Sequence, residues 1–390
     1  MARPFCFTTG GCFVGGTGAV DRDLSGRDKK GRCFHKKPIL EYHICGVRST
    51  NQSGYGAWVN MKQLLVTGPR QASLCDVPCP ACGVQEVLVE AQLTAISTGT
   101  ELRVFRAIAV DAEGRFLHET VPFQLPAANG YSMVGTVRET GTAVTGFRPG
   151  TRVFATAAHA AWAAVSSAAL HPLPEAIAAE NAVWLNVLEV AHRALRQANP
   201  DPGADVAIVG QGVIGLGMLA WSVACGFRTV VVERHAERRA IAREMGADMV
   251  LSPDDHDCVA QTIAFTSGAG ADVVFEAGSS WEAIRVALQV ARSDGTVVVP
   301  SRHTQRPEFN PLGHPFLGKR IKLVTTYGYP PDGHRWDRHR SVALTLDFLE
   351  RGRFYLNPMV TDRFPAEELP AIYERMDRGD ASLVGVLIDW

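Results

Sequence analysis

Long apolar runs are missing from this 390-residue chain. No stretch of 18 or more apolar residues occurs, so no membrane-spanning helix is expected. Neither sign of charge dominates: 39 Lys and Arg stand against 40 Asp and Glu, a net of −1. A dedicated nucleic-acid binder would carry a basic excess, and none is present. No cysteine lies between Cys82 and Cys225, so that stretch cannot supply a four-cysteine metal lobe.

The charge balance conceals an asymmetry. Residues 1–60 hold 9 Lys and Arg, 4 Asp and Glu, 10 glycines and 4 cysteines, leaving 30 basic and 36 acidic side chains in residues 61–390. The first sixty residues show no sustained period of 2 or 3.6, and such a segment buries too little apolar surface to offset its ordering entropy. The glycines and threonines after Phe7 interrupt any apolar core that a secretory signal would need. Residues 1–60 are therefore expected to be a disordered N-terminal extension, with folded structure beginning near Met61. Reduced thiols in a cytoplasmic setting are the corresponding expectation. Cys75, Cys79 and Cys82 form a C-x3-C-x2-C cluster, but Pro78 and Pro80 suit a plain extended turn and no fourth ligand is near in sequence.

The strongest local signal begins at residue 205. Asp205–Val209 is a short apolar run, followed by Gly210-Gln211-Gly212-Val213-Ile214-Gly215 and an apolar helix over Val213–Cys225. This is the G-x-G-x-x-G fingerprint of a dinucleotide-binding βαβ unit. Gly210 would permit the tight turn, Gly212 would let backbone N–H groups approach a pyrophosphate, and Gly215 would let the helix pack closely on the sheet. The helix N-terminus adds partial positive charge for the phosphates. An acidic residue is expected at the end of the next strand, and Glu233 follows Thr229–Val232. Its carboxylate would bind ribose hydroxyls and repel a 2′-phosphate, which favours NAD(H) over NADP(H). Arg234 and Arg238 are the nearby cations that could instead accommodate that phosphate.

Strands are expected at Met249–Leu251, Asp272–Glu276, Thr296–Val299 and Ile321–Thr325, with helices between them. This alternation gives an α/β class, a doubly wound parallel sheet covered on both faces. Ala277, Gly278 and Pro300 end two of the strands, at the carboxyl edge where such sheets bind ligands. Residues 61–185 read instead as short β runs, among them VQEVLVEAQLTAIS, GYSMVGTVRET and PGTRVFATA, and imply a barrel-like, mostly antiparallel domain. Helices at His339–Leu349 and Ala366–Arg375 and a strand at Gly385–Ile388 complete the chain.

The order of these parts, the glycine fingerprint, EMGAD, PGTRVF, ISTGTEL and GYSMVGTV resemble the medium-chain dehydrogenase/reductase superfamily over residues 61–390. ISTGTE is similar in particular to the zinc-lacking branch that includes bacteriochlorophyllide dehydrogenase-like proteins. The resemblance implies a GroES-like catalytic domain at 61–185, a Rossmann NAD(P)-binding domain at 186–329 and a return to the catalytic domain at 330–390, with the active site in the cleft between them. It implies a homodimer, joined by edge pairing near Ile321–Thr325.

Where the zinc-dependent members carry Cys-Gly-Thr-Asp, this chain has Thr98-Gly99-Thr100-Glu101; where they carry Gly-His-Glu, it has Gly130-Tyr131-Ser132. Their third ligand falls on Asn186. Threonine, tyrosine and asparagine are poor zinc ligands, so no catalytic zinc is expected. A hydrogen-bond donor or proton relay must then serve the reacting oxygen. Thr100 matches the relay hydroxyl of the zinc enzymes. Tyr131 would act in acid/base or oxyanion support, or would simply fill the vacated metal pocket. Glu101 matches the family's acid and could equally order its own loop through a salt bridge. Asn186, Glu189, His159 and His192 are weaker candidates, with Glu189 readable as a helix-surface charge and each histidine readable as structural. Tyr327, Tyr329 and Trp336 lie in an aromatic and basic segment that could line a substrate cleft.

The expected function is zinc-independent, NAD(P)-dependent hydride transfer between nicotinamide and an alcohol/carbonyl pair of a small metabolite. Reduction of an activated C=C bond and a non-catalytic nucleotide-binding sensor are the alternatives.

Overall fold

The computed structural model describes residues 60–108, 125–326, 328 and 335–390. Tyr327 and Tyr329 and the N-terminal extension lie outside the described residues. Among the described residues no helix is long and apolar enough to cross a membrane.

The first lobe begins with β1 (Asn60–Gly68), β2 (Gln71–Pro78), β3 (Glu86–Ala95) and α1 (Thr98–Phe105). It continues with β4 (Ala127–Ala128), β5 (Met133–Thr140), β6 (Arg152–Ala155), β7 (Trp162–Ser166) and β8 (Leu170–Pro172). In β3, Val87, Val89 and Ala91 are buried and their neighbours are less so, the period of two that a half-covered strand requires. β3 pairs antiparallel with β5 and β7, while β1 joins β2 and β4 in a smaller sheet. The segment that reads ISTGTEL in sequence leaves the end of β3 and forms α1, a helix that the β-rich reading of residues 61–185 did not contain.

The short α2 (Ala179–Ala182) and the long α3 (Leu185–Ala198) lead into the second lobe. There β9 (Asp205–Val209), α4 (Val213–Ala224), β10 (Arg228–Val232), α5 (Ala236–Glu244) and β11 (Met249–Leu251) form the first half. The second half contains α6 (Cys258–Phe265), β12 (Ala271–Glu276), α7 (Trp281–Val290), β13 (Ala291–Val299), α8 (Phe316–Lys319) and β14 (Lys322–Thr325). The six strands lie parallel in the order β11-β10-β9-β12-β13-β14, the doubly wound Rossmann arrangement. Central strand β9 is buried along Val206–Val209 and α4 is buried almost all round, as a sheet covered on both faces demands. The Trp221 indole N–H donates to the Leu188 carbonyl at 2.8 Å, which ties α4 to α3.

After β14 come α9 (Arg338–Glu350), β15 (Val360–Pro365), α10 (Leu369–Asp377) and β16 (Gly385–Asp389). β16 pairs with β3 of the first lobe, so the chain returns to the sheet it started. The sequence led to a helix over Ala366–Arg375; the structure makes Ala366–Glu368 a 3-10 turn ahead of α10. β15, parallel to β16, was not expected.

Candidate active site

Three backbone features build the nucleotide side of the site. Gly210 follows β9 with φ of +94°, and a Cβ there would lie 2.7 Å from the Cα and N of Gly278. The turn and the close crossing of two strand ends both need glycine. At Gly215 a Cβ would stand 2.0 Å from the Gly210 carbonyl oxygen, so the helix lies directly on the turn. At Gly212 nothing lies within 4 Å of the Cβ position, which leaves the first turn of α4 open to a ligand. Val213 and Ile214 start that helix, with Val213 buried beneath it.

Glu233 is buried just beyond β10. One carboxylate oxygen accepts the Gln211 N–H at 2.6 Å and the other accepts the His235 N–H at 2.8 Å. Each oxygen retains a second lone pair for a ribose hydroxyl. The buried Gln211 amide turns back onto the Gly210 carbonyl at 3.0 Å. Arg234 is exposed and faces Asp254 at 3.9 Å, and Arg238 reaches the Ala381 carbonyl at 3.4 Å. A third arginine, Arg239, which sequence reasoning missed, donates to the main-chain carbonyls of Glu233 and Arg234. A dinucleotide therefore fits what is present: an open helix N-terminus, a glycine turn and a pre-set carboxylate.

The catalytic-lobe side is built from side chains. Glu101, on α1, is 1% exposed. Its carboxylate accepts the Ser97 N–H at 2.7 Å, the His159 Nε2–H at 3.0 Å and the Tyr373 hydroxyl. His159 Nδ1 faces the Thr94 hydroxyl at 2.7 Å, and Thr94 in turn accepts the Trp390 indole N–H at 2.9 Å. An indole only donates and a carboxylate only accepts, so Trp390 and Glu101 fix the two ends of a hydrogen-bonded chain that runs through Thr94 and His159. Glu101 has partners that no sequence spacing could show. Burial, followed by the charge and hydrogen bond of Glu101, holds the Tyr373 hydroxyl far above its usual range.

Tyr131 stands over this network. Its phenol lies near the side chains of Ser97 and Thr100. Burial, aided by the Glu101 charge and opposed by those two hydroxyls, pushes its pKa up to about 12. The Tyr131 carbonyl accepts the Asn186 amide N–H at 2.7 Å. The sequence-matched trio of Thr98, Tyr131 and Asn186 therefore presents a hydroxyl, a protonated phenol and an amide already donating to backbone. This donor set does not fit zinc, which prefers thiolate, imidazole or carboxylate. Among the described residues no three His, Cys, Asp or Glu side chains converge as a metal group, the Cys75, Cys79 and Cys82 cluster included.

Other candidates are held in packed or ion-paired contacts. His192 is 2% exposed and packs on Trp221 and Trp336, with ring centroids 4.8 and 5.4 Å away. Burial and then the Arg196 charge lower its pKa to about 4, so it is a neutral core residue. Glu189 is buried rather than a helix-surface charge, and accepts from Arg338 at 3.2 Å to join α3 to α9. Trp336 is covered by the guanidinium groups of Arg196 and Arg340 at 4.5 and 4.6 Å.

One cluster was missed entirely. Glu276, at the end of β12, is 0% exposed. One of its oxygens accepts from the Ser301 hydroxyl and from His303 Nε2, the latter at 2.8 Å. Ser301 and His303 flank the exit of β13 beyond Pro300. The acid at the end of a fourth strand was the signal available.

Two family models match: the alcohol dehydrogenase GroES-like domain over residues 83–172 and the zinc-binding dehydrogenase over residues 213–340. D-guloside 3-dehydrogenase of Shigella flexneri is 29% identical, covering 76% of this chain and 90% of the relative. An alcohol dehydrogenase of Cupriavidus necator is 25% identical, covering 80% and 94%. Among solved structures, an alcohol dehydrogenase of E. coli CFT073 complexed with NADH superposes with a TM-score of 0.70 at 18% identity, over 85% of this chain and 99% of that one. The chain belongs to the medium-chain dehydrogenase/reductase superfamily with an alcohol dehydrogenase-like fold, an oxidoreductase family.

Proposed function

We propose that the protein is a zinc-independent, NAD(H)-preferring oxidoreductase that interconverts an alcohol and a carbonyl on a small metabolite. The observation that carries this reading is Tyr131: a protonated phenol, near Ser97 and Thr100, in the place of the family's metal-ligand histidine. When bound, the nicotinamide supplies or takes the hydride. Tyr131 donates a hydrogen bond to the substrate oxygen and stabilises the charge that grows there, the task a Lewis acid performs in zinc enzymes. Thr100, exposed at the start of α1, passes the proton between Tyr131 and solvent. Glu101 does not touch substrate; through Ser97 and the helix it fixes where Thr100 and Tyr131 stand.

The cofactor preference is supported by Glu233, whose carboxylate is fixed in place while Arg234 and Arg238 are engaged elsewhere. Zinc independence is supported by the donor chemistry at Thr98, Tyr131 and Asn186. A homodimer is supported by β14, the last strand of the sheet, with Leu323 41% exposed on it.

The test is turnover of purified protein with NADH and NADPH against ketones, aldehydes, quinones and enones, with and without chelator. The expected result is chelator-resistant carbonyl reduction with NADH. Loss of activity on chelation would overturn zinc independence. Turnover confined to enones would move the assignment to C=C reduction, and nucleotide binding without turnover would leave a sensor.

A further inference from the structure

Glu276 ends β12 and is paired with Val209, the residue that leads into the Gly210 turn. It stands where the strand order reverses, at the crevice in which doubly wound sheets bind their ligands. It is also fully buried. A carboxylate is costly to desolvate, so the groups its oxygens meet indicate what it serves.

Both of its partners lie beyond β13. Oε2 meets the Ser301 hydroxyl and, at 2.8 Å, His303 Nε2. Oε1 is buried and has no hydrogen-bond partner among the described residues. The hydrogen bonds of this side chain therefore go to residues 301 and 303 and to neither β12 nor its helix. Ser301 and His303 also face each other, with Oγ and Nε2 3.2 Å apart. The His303 ring packs on the Trp281 indole at the start of α7, with centroids 4.7 Å apart, and the Trp281 N–H donates to the Gln305 carbonyl. Residues 301–305 are thus tied at three points to β12 and α7.

The place of this segment bears on the cofactor. Glu233, beyond β10, is set for the ribose of one half of a dinucleotide, and the Gly210 turn for the pyrophosphate between the halves. β10 and β12 lie on opposite sides of β9. The other half, which carries the nicotinamide, then extends over the exits of β12 and β13, where Pro300 leads into the tied segment. We propose that Glu276 is a positioning residue for the nicotinamide half of the cofactor: through Ser301 and His303 it fixes the β13 exit against which that half lies. Glu276 itself does not touch the cofactor. This role rests on the dinucleotide-dependent reading given above.

Two probes separate the halves. NADH carries both, whereas ADP carries only the adenosine half and the phosphates. Full-length wild-type protein, Glu276→Gln and Ser301→Ala are titrated with each probe by calorimetry, and their melting temperatures are measured. Glu276→Gln keeps the size of the side chain and removes its charge. Ser301→Ala removes one hydroxyl from a half-buried residue, so it tests the same tie if Glu276→Gln does not fold. NADH affinity is expected to fall about tenfold in Glu276→Gln and about threefold in Ser301→Ala, while ADP affinity stays within about twofold in both.

The ratio of the two affinities is the readout that a merely structural role would not move. NADH and ADP affinity falling together would make Glu276 a support of the whole nucleotide lobe and overturn the positioning role. NADH affinity unchanged in the folded variants would overturn it as well. Wild-type protein that fails to bind NADH would instead overturn the dinucleotide-dependent reading itself, a result distinct from normal binding that is indifferent to the substitutions.

Discussion

The two walls of the proposed site are made of different material. The nucleotide wall is backbone: the Gly210 turn, the open N-terminus of α4, and main-chain amides of Gln211 and His235 that set Glu233 in place. The catalytic wall is side chain: Thr100, Ser97 and Tyr131 over a chain of Trp390, Thr94, His159, Glu101 and Tyr373. Backbone recognition serves a ligand that a whole family shares. Side-chain chemistry can be exchanged while the backbone stays, which is how a metal-ligand position can hold a tyrosine within the same fold.

Substitutions should separate the walls, beginning with the most severe. Glu101→Ala would leave His159, Tyr373 and the Ser97 amide without their acceptor in a buried site. It is expected to cost roughly 3–5 kcal/mol of stability, read by urea denaturation. A loss below about 1 kcal/mol would show that the side-chain wall is not held by this network. Gly210→Ala places a methyl group against Gly278 and forces a left-handed φ on alanine. Strain of about 1–3 kcal/mol should weaken NADH binding roughly 10- to 100-fold, measured by fluorescence titration.

Tyr131→Phe should separate the walls most cleanly. It keeps the ring and loses the donor, so kcat should fall about 100-fold while NADH affinity stays within about twofold. An equal fall in both would mean that the two walls do not work independently.

The effect confined to acid lies beneath both walls. His192 has its folded pKa lowered to about 4 from an ordinary 6.5. Between those values the unfolded chain binds the extra proton, so acid favours unfolding. Stability is fully present above pH 6.5 and should fall by about 3 kcal/mol as the pH drops to 4. His192→Phe should remove that part of the pH dependence, followed by thermal melting across the range.

The contrast between the walls also explains what was readable in the chain. Glycine spacing is a direct record of backbone demands, so Gly210, Gly212 and Gly215 led to the turn, the sheet and the place of Glu233. Alternating strands and helices likewise led to the Rossmann lobe. Tyr131 was visible as a departure at a motif position. Its neighbours Ser97 and Thr100 were visible only in part, and Tyr373 and Trp390 not at all. They come to Glu101 and Thr94 from about 270 to 300 residues away, and no local period encodes such a meeting. Glu189 and His192 show what helix position alone leaves open. A lone glutamate on a helix reads as solvated until α9 supplies Arg338, whereas the structural reading of His192 agrees with the two tryptophans that pack on it.

The pairing of β16 with β3 bears on how the protein is made. Trp390 and Thr94 are 296 residues apart, with the whole nucleotide lobe synthesised between them. During translation, the first lobe emerges with the β16 edge of β3 open and Thr94 lacking its indole partner. The six-stranded sheet of the nucleotide lobe is encoded without interruption and can form first although it is encoded second. A nascent chain stalled after β14 should therefore resist protease over residues 205–325 before it does so over residues 60–172, and the catalytic wall should close last, once the ribosome has released the strand that seals it.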